Sequence, residues 1–173
     1  MLTKNAKNFI LYALMRSAGT GTNGPDLWGS FNLTNTDGQS VTTGYSADIA
    51  FAFLNSLNHM ATAEGREATT YIKCGTGTTP ATENDYNLEA EATGLSCDSA
   101  APSTNTTSND IKTYTATFSN TSANDITVTE IGFFCFSYDG GSYHNVLLDH
   151  IILSTPITIP AGESKAITYE LGF

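Results

Sequence analysis

A strict alternation of apolar and polar residues limits the fold of this chain more than any other feature. In the segment KTYTATF, Tyr114, Ala116 and Phe118 share one face, and threonines occupy the other. Successive side chains of a β-strand point to opposite faces, so a period of two predicts a half-buried strand. The end of the chain repeats the pattern, with one face formed by Ile167, Tyr169, Leu171 and Phe173.

Short turn sequences separate the predicted strands. Asp37-Gly38 and Asp139-Gly140-Gly141 predict hairpins, while the polar segment 120–125 and the PAGE segment 160–163 predict turns. Four or five strands joined in this way predict an antiparallel β-sandwich resembling a jelly roll. Segment 95–109 is almost devoid of apolar residues and predicts a long surface loop. The expected core of residues 110–173 contains Tyr114, Phe118, Ile131, Phe133, Ile167, Tyr169 and Leu171.

Helical periodicity is confined to the N-terminal part of the chain. A first amphipathic helix is predicted from an apolar stripe at a spacing of three and four residues. A second helix is predicted over 46–63, with Ser46 as its N-cap and Gly65 as its stop. The fold class is therefore mainly β with N-terminal helices (α+β). We predict a helical attachment region at 1–69, packed on the core, and a β-sandwich domain at 70–173.

Two predicted strands, IGFFCF and VLLDHIIL, are apolar on both faces. Such strands require cover on both sides, either from the N-terminal helices or from another subunit. The second alternative predicts a homo-oligomer, with a homotrimer preferred. The proposed interface consists of Phe134, Phe136, Leu147, Ile151 and Leu153 together with Phe9 and Ile10 of the first helix.

The charge balance restricts the partners of the chain. Its 173 residues include 7 Lys and Arg against 17 Asp and Glu, which gives a formal net charge of -10. A surface of this sign argues against broad electrostatic binding to nucleic acid or to an anionic membrane. No apolar run in the sequence approaches the length that spans a bilayer.

The segment IKCGTGTTPATENDYNLEAE, residues 72–91, contains glycines that resemble a phosphate-binding loop. A dinucleotide fingerprint needs a third glycine where Pro80 stands, and a P-loop needs a lysine before the closing Ser or Thr. The nearby carboxylates would also repel a phosphate. We therefore interpret Gly75 and Gly77 as the end of a strand and a turn in which the glycines adopt positive φ.

Candidate catalytic and metal-binding residues do not form a recognisable set. Glu83, Asp85, Glu89 and Glu91 match no calcium loop and are interpreted as a solvated acidic loop. Asp149 and His150 are adjacent, but neighbours on a strand face opposite sides and cannot form a dyad with each other. We predict no catalytic residue, no cofactor and no metal. The irregular spacing of the three cysteines predicts no intramolecular disulfide.

Three stretches together resemble the small virion structural proteins of tailed bacteriophages. They are IKCGTGTTPATENDYNLEAE, TATFSNTSANDITVTEIGFF and VLLDHIILSTPITIPAGESKAITYELGF, and they span about residues 70–173. The family pattern has a GTGTTP strand end, an acidic DYxLE segment, an ITVTEIGLF strand and a PITIPAGES hairpin. This chain departs from it at Asp149-His150, where relatives often have Ala-Arg.

The resemblance implies a structural component of a phage head or tail, located in the virion, with other virion proteins as partners. It transfers no catalytic residue. The alternative is a cell-surface adhesin or carbohydrate-binding β-sandwich module, which shares the threonine-rich strands but needs a ligand platform. A size measurement in solution combined with a glycan screen would separate these two interpretations.

Overall fold

The computed structural model describes residues 1–8, 31–43, 70–97, 104–108, 111–138 and 142–172. Within these ranges the chain is mainly β, and residues 4–8 form a helical turn. Nine strands are described: β1 (Phe31–Thr34), β2 (Ser40–Thr43), β3 (Thr70–Gly75), β4 (Leu95–Cys97), β5 (Thr104–Ser108), β6 (Ile111–Asn120), β7 (Ile126–Tyr138), β8 (Tyr143–Ile159) and β9 (Ser164–Gly172). The described residues contain no helix that is both long enough and apolar enough to cross a bilayer.

All pairs among the described strands are antiparallel, as the turn-linked pattern predicted. One sheet has the order β3-β7-β8, and β1 pairs with β2 in a separate hairpin. In the other sheet β6 is central, with β9 on one side and β4 and β5 on the other. The turns at 120–125 and 160–163 connect strands that belong to different sheets, so they carry the chain between the two.

Aromatic rings join the two sheets at the centre of the core. Phe133 of β7 is fully buried, and its ring centroid lies 4.7 Å from that of Tyr114 in β6 and 5.7 Å from that of Tyr169 in β9. Phe118, Ile131 and Ile167 are buried in the same cluster. These six predicted core residues are confirmed, while the side chain of Leu171 lies outside the described residues.

The prediction of a surface loop at 95–109 is wrong for most of this segment. Its two ends are strands β4 and β5, which pair with different parts of β6. Apolar content was a poor guide here because β5 is built from threonine, asparagine and serine, and threonine fits a pleated surface well. Residues 98–103 and 109 lie outside the described residues.

The described parts of the N-terminal region pack on the main core. The helical turn at 4–8 contributes the buried Ala6, and the remainder of the first predicted helix lies outside the described residues. The β1-β2 hairpin turns at Asp37-Gly38, as predicted, with φ of 77° at Gly38, and it contributes Leu33 and Val41 to the same cluster. The second predicted helix, at 46–63, lies outside the described residues.

A β-bulge in β8 corrects the predicted interface. Phe133 pairs with Asp149 and Phe134 pairs with Leu147, so Leu148 is an extra residue in β8. The bulge reverses the alternation. As a result Ile151 and Leu153 pack against the main core beside Leu148, whereas Leu147 and Phe134 belong to a separate cluster on the other face of the sheet.

The residues of the proposed interface therefore do not form one apolar face. Phe134 and Leu147 are fully buried within the chain, so neither is available to a second subunit. Ile151 and Leu153 are half-buried against the main core. Phe9, Ile10 and the side chain of Phe136 lie outside the described residues.

Candidate functional site

The second face of the β3-β7-β8 sheet is covered by residues 76–92, which we call the strap. Leu88 of the strap packs on Phe134 and Leu147, with Tyr71 beside them. The strap approaches the sheet closely at Gly132, where a Cβ atom would lie 2.5 Å from the Phe134 ring and 2.9 Å from Leu88. The strap thus supplies part of the cover that the doubly apolar strands required.

Glu130 of β7 is the residue that fastens the strap to the sheet. Its carboxylate is completely buried. Oε1 accepts hydrogen bonds from the backbone nitrogens of Gly77 at 2.9 Å and Ala90 at 2.8 Å, and Oε2 accepts one from the nitrogen of Glu89 at 3.0 Å. A buried carboxylate is tolerated when its oxygens are satisfied by donors. Here both ends of the strap provide them.

The imidazole of His150 lies between Glu130 and a second carboxylate. Nε2 is 2.9 Å from Glu130 Oε2, and Nδ1 is 2.7 Å from Asp85 Oδ2. The ring is 3% exposed and can donate to both carboxylates only as the imidazolium ion. Charge-assisted bonds of this kind are shorter and stronger than neutral ones. We call Asp85, His150 and Glu130 the His150 network.

Asp85 is held by its own loop as well as by His150. Its carboxylate accepts bonds from the nitrogen of Thr82 at 2.8 Å and from the Thr82 hydroxyl at 2.6 Å. Burial acts to raise the pKa of Asp85, but the hydrogen bonds from Thr82 and His150 outweigh it, and the pKa is lowered. Asp85 is therefore stabilised as the anion, which accepts hydrogen bonds from Thr82 and from the ring of His150.

Asp149 faces the opposite way from His150, as the strand geometry predicted. Its Oδ2 accepts a bond from the hydroxyl of Tyr169, and its Oδ1 lies 2.7 Å from the nitrogen of Met1. Burial, followed by the charge of Asp149, raises the pKa of Tyr169. The two neighbouring residues thus belong to different polar groups on the two faces of the sheet.

The predicted positive φ at Gly75 and Gly77 is wrong. The described glycines with positive φ are Gly38, Gly94 and Gly162. Gly75 and Gly77 are required for space instead, because a Cβ atom would lie 2.3 Å and 2.6 Å, respectively, from Glu130 Oε1. The buried carboxylate thus explains both glycines, and the GTG segment forms a cradle for a side chain of the same protein.

Gly75→Ala is expected to lower the free energy of unfolding by about 1–3 kcal/mol, because the new methyl group must displace Glu130 or the backbone of Ala90. Urea denaturation measures the change. Thr76→Ala is the matched control, since Thr76 is exposed and the substitution leaves its backbone in place. The control should stay within about 0.5 kcal/mol of the unmodified protein. Equal stability of the two variants would refute the steric explanation.

The acidic residues of the strap have partners within the chain, and Glu89 and Glu91 are also exposed to solvent, as the sequence interpretation expected. Glu89 accepts bonds from the nitrogens of Thr78 and Thr79 and from the Thr79 hydroxyl, and these bonds, led by the hydroxyl of Thr79, lower its pKa. Glu83 pairs with Lys7, and Glu91 pairs with Lys73. Within the ranges that the structure describes, no group of three or more His, Cys, Asp or Glu residues could hold a metal ion.

Cys74, Cys97 and Cys135, all among the described residues, are not joined by disulfide bonds. Cys74 and Cys135 are buried, and burial raises the pKa of each thiol to about 12. Such thiols are poor nucleophiles at neutral pH, because the thiolate is the reactive form.

The His150 network was not predicted from the sequence. Its three members are separated by 45 and 20 positions along the chain, and the strap brings them together. One signal could have revealed Glu130, because it is a charged residue in the middle of a strand that is apolar on both sides. Comparison of this chain with family models, curated proteins and solved structures found no match.

Proposed function

We propose that this chain is a non-enzymatic structural protein of a bacteriophage virion, acting as a capsid decoration or tail component. One observation carries the proposal. Glu130 lies in the ITVTEIG stretch, and it accepts hydrogen bonds from Gly77 of the GTGTTP stretch and from Glu89 of the acidic stretch. The segments that carry the resemblance are therefore joined in space by a single carboxylate.

The use of these residues favours an architectural role. A histidine that acts as a general base must have a nitrogen available to its substrate. Both nitrogens of His150 instead contact carboxylates of the same chain, beneath the strap. The His150 network thus stabilises the fold. A stabilising role of this kind suits a protein that works by assembly.

A β-sandwich resembling a jelly roll is the finer description that we propose for the two sheets. It is supported by the stacked rings of Phe133 and Tyr169, at an interplanar angle of 11°, which bring the inner faces of the sheets into contact. We also propose that residues 1–69 attach the protein to its neighbours in the particle. Residues 9–30 and 44–69, which belong to this region, lie outside the described residues.

The proposal requires assembly with other virion proteins, and it does not require the homotrimer. The homotrimer needs a continuous apolar face, but Leu88 of the strap packs on Phe134 and Leu147. Self-association would have to use residues other than Phe134 and Leu147. Sedimentation equilibrium over a hundredfold range of protein concentration measures it directly, and a constant monomer mass would exclude the homotrimer.

The location is tested on purified particles of the phage that encodes the chain. An antibody raised against the folded protein, followed by gold labelling and electron microscopy, should mark the head surface or the tail in a regular pattern. Mass spectrometry of the same particles should find the chain in a fixed ratio to the major capsid protein. Absence from the particles, or recovery from the bacterial surface instead, would overturn the proposal in favour of the adhesin.

A further inference from the structure

An open cleft lies between the β1-β2 turn and the strap. Thr36 and Asp37 form one side of it, and Asn84, Tyr86 and Asn87 form the other. Its volume is about 440 Å³, within the range of roughly 300–1,000 Å³ that is typical of small-ligand sites. Asp85 of the His150 network also lies in the wall of this cleft, whereas His150 and Glu130 do not line it.

Tyr86 is an exposed aromatic residue with a fixed position. Met1 and Tyr86 are the large hydrophobic residues that are exposed among the described ranges, and Tyr86 is 45% exposed. Its ring rests on Gly38, where a Cβ atom would lie 3.3 Å from Cζ and 3.4 Å from Cε2. A glycine at this turn therefore permits both the positive φ of Gly38 and the close approach of the Tyr86 ring.

The polar groups of the cleft include both acceptors and donors. Within the described residues, the carboxylate of Asp37 has no hydrogen-bond or ion-pair partner. Asn84 accepts a bond from Lys4 through Oδ1, which leaves its amide nitrogen as a donor. The amide nitrogen of Asn87 donates one hydrogen to the carbonyl of Thr36 at 3.2 Å and retains a second.

Both walls of the cleft are anchored to the sheet. The nitrogen of Thr36 donates to the carbonyl of Asn145 at 3.0 Å. The side chain of Asn35 accepts bonds from the nitrogens of Asp37 and Gln39, which fixes the turn. On the other wall, the bond between Asp85 and His150 holds the residue next to Tyr86. A cleft whose walls are fixed in advance loses little entropy when a ligand binds.

We propose that this cleft binds a neutral saccharide. The face of an aromatic ring carries partial negative charge and attracts the weakly positive C–H groups on the flat side of a sugar. Sugar hydroxyls both donate and accept, so they match the Asp37 carboxylate and the two amide nitrogens together. This inference stands apart from the proposed virion role, because binding is measured on the isolated protein.

Other ligand classes fit the cleft less well. Asp85 and Glu89 lie in its wall, so an acidic sugar or a phosphate would be repelled. A cationic side chain could pair with Asp37, but it would leave the amide donors of Asn84 and Asn87 facing a group that accepts no hydrogen bond. The mixed set of donors and acceptors favours the neutral saccharide.

The experiment is a titration of the isotope-labelled protein with the methyl glycosides of glucose, galactose, mannose and N-acetylglucosamine, followed by NMR. We expect at least one of them to cause saturable shifts in the amides of Thr36, Asp37 and residues 84–89. Methyl glucuronide and a lysine-containing tripeptide serve as the anionic and cationic probes. Both should bind more weakly than the best neutral glycoside.

Matched variants connect the binding to the cleft. Tyr86→Ala should weaken the binding of the best glycoside by about tenfold, the equivalent of losing one aromatic contact. Tyr86→Phe should retain most of the affinity. Asp37→Ala should also weaken binding. Glu170→Ala removes an exposed carboxylate from β9, in the other sheet, and should leave the affinity unchanged.

Three results would overturn the proposal. The first is the absence of saturable shifts at the cleft with all four neutral glycosides. The second is saturation by the tripeptide alone, which would make the cleft a site for cationic side chains. The third is that the unmodified protein and Tyr86→Ala bind the best glycoside with equal affinity. The variant must also keep its amide spectrum outside the cleft, which shows that it is folded. This result would place the sugar elsewhere on the protein.

Discussion

Glu130→Ala is expected to lower the free energy of unfolding by about 3–5 kcal/mol, the range for removing one partner of a buried charged pair. The carboxylate is fully buried and is the common acceptor for Gly77, Glu89, Ala90 and His150. Alanine leaves three backbone donors and the imidazole without this acceptor. Each unsatisfied buried donor carries a desolvation cost.

Urea denaturation followed by circular dichroism measures this loss, and amide hydrogen exchange locates it. The amide of Ala90 should exchange faster in Glu130→Ala, because its acceptor has been removed. Glu91→Ala is the matched control, since the ion pair of Glu91 with Lys73 is partly exposed and such pairs contribute at most about 1 kcal/mol. A similar small loss in both variants would contradict the central role of Glu130.

Phe133→Ala should lower the free energy of unfolding by about 3–5 kcal/mol, the range for truncating a buried phenylalanine. Phe133 has no exposed surface and contacts the rings of Tyr114 and Tyr169 from the opposite sheet. Truncation therefore opens a cavity at the point where the two sheets meet. The surrounding rings belong to paired strands and can fill this cavity only in part.

Thermal and urea denaturation measure the effect of Phe133→Ala. Tyr86→Ala is the control, because it truncates an exposed aromatic residue and should change the free energy of unfolding by no more than about 0.5 kcal/mol. Should Phe133→Ala unfold at the same urea concentration as Tyr86→Ala, the assignment of Phe133 to the centre of the core would be wrong.

The alternating segments of the chain were the most predictable part of the fold. Tyr114, Phe118, Ile167 and Tyr169 lie in strands whose partners repeat the same period, so one face of each strand had to be buried. Strand β5 escaped prediction because its sequence, TNTTS, has no apolar residue to mark a buried face. Its structure comes from pairing with β6, which a local pattern does not encode.

The His150 network could not be predicted because it depends on contacts between distant parts of the chain. Asp85 and His150 are 65 positions apart and meet because the strap crosses the sheet. The same contacts explain the error at Gly75 and Gly77, because the local sequence carries no sign of the space taken by Glu130. The interface prediction failed for a different reason, since it assumed an unbroken alternation through β8.

The extra residue at Leu148 decides which changes of length strand β8 can tolerate. On one side of it, residues at even positions face the main core, and on the other side residues at odd positions do, as Val146 and Ile151 illustrate. Deleting Leu148 would leave Val146 and Ile151 four positions apart, so a regular strand without the bulge would keep both side chains on the face of the main core. A one-residue deletion or insertion in a regular part of β8 would instead turn the segment beyond it inside out, so Leu148 marks the place where the strand can lose a residue without reversing a face.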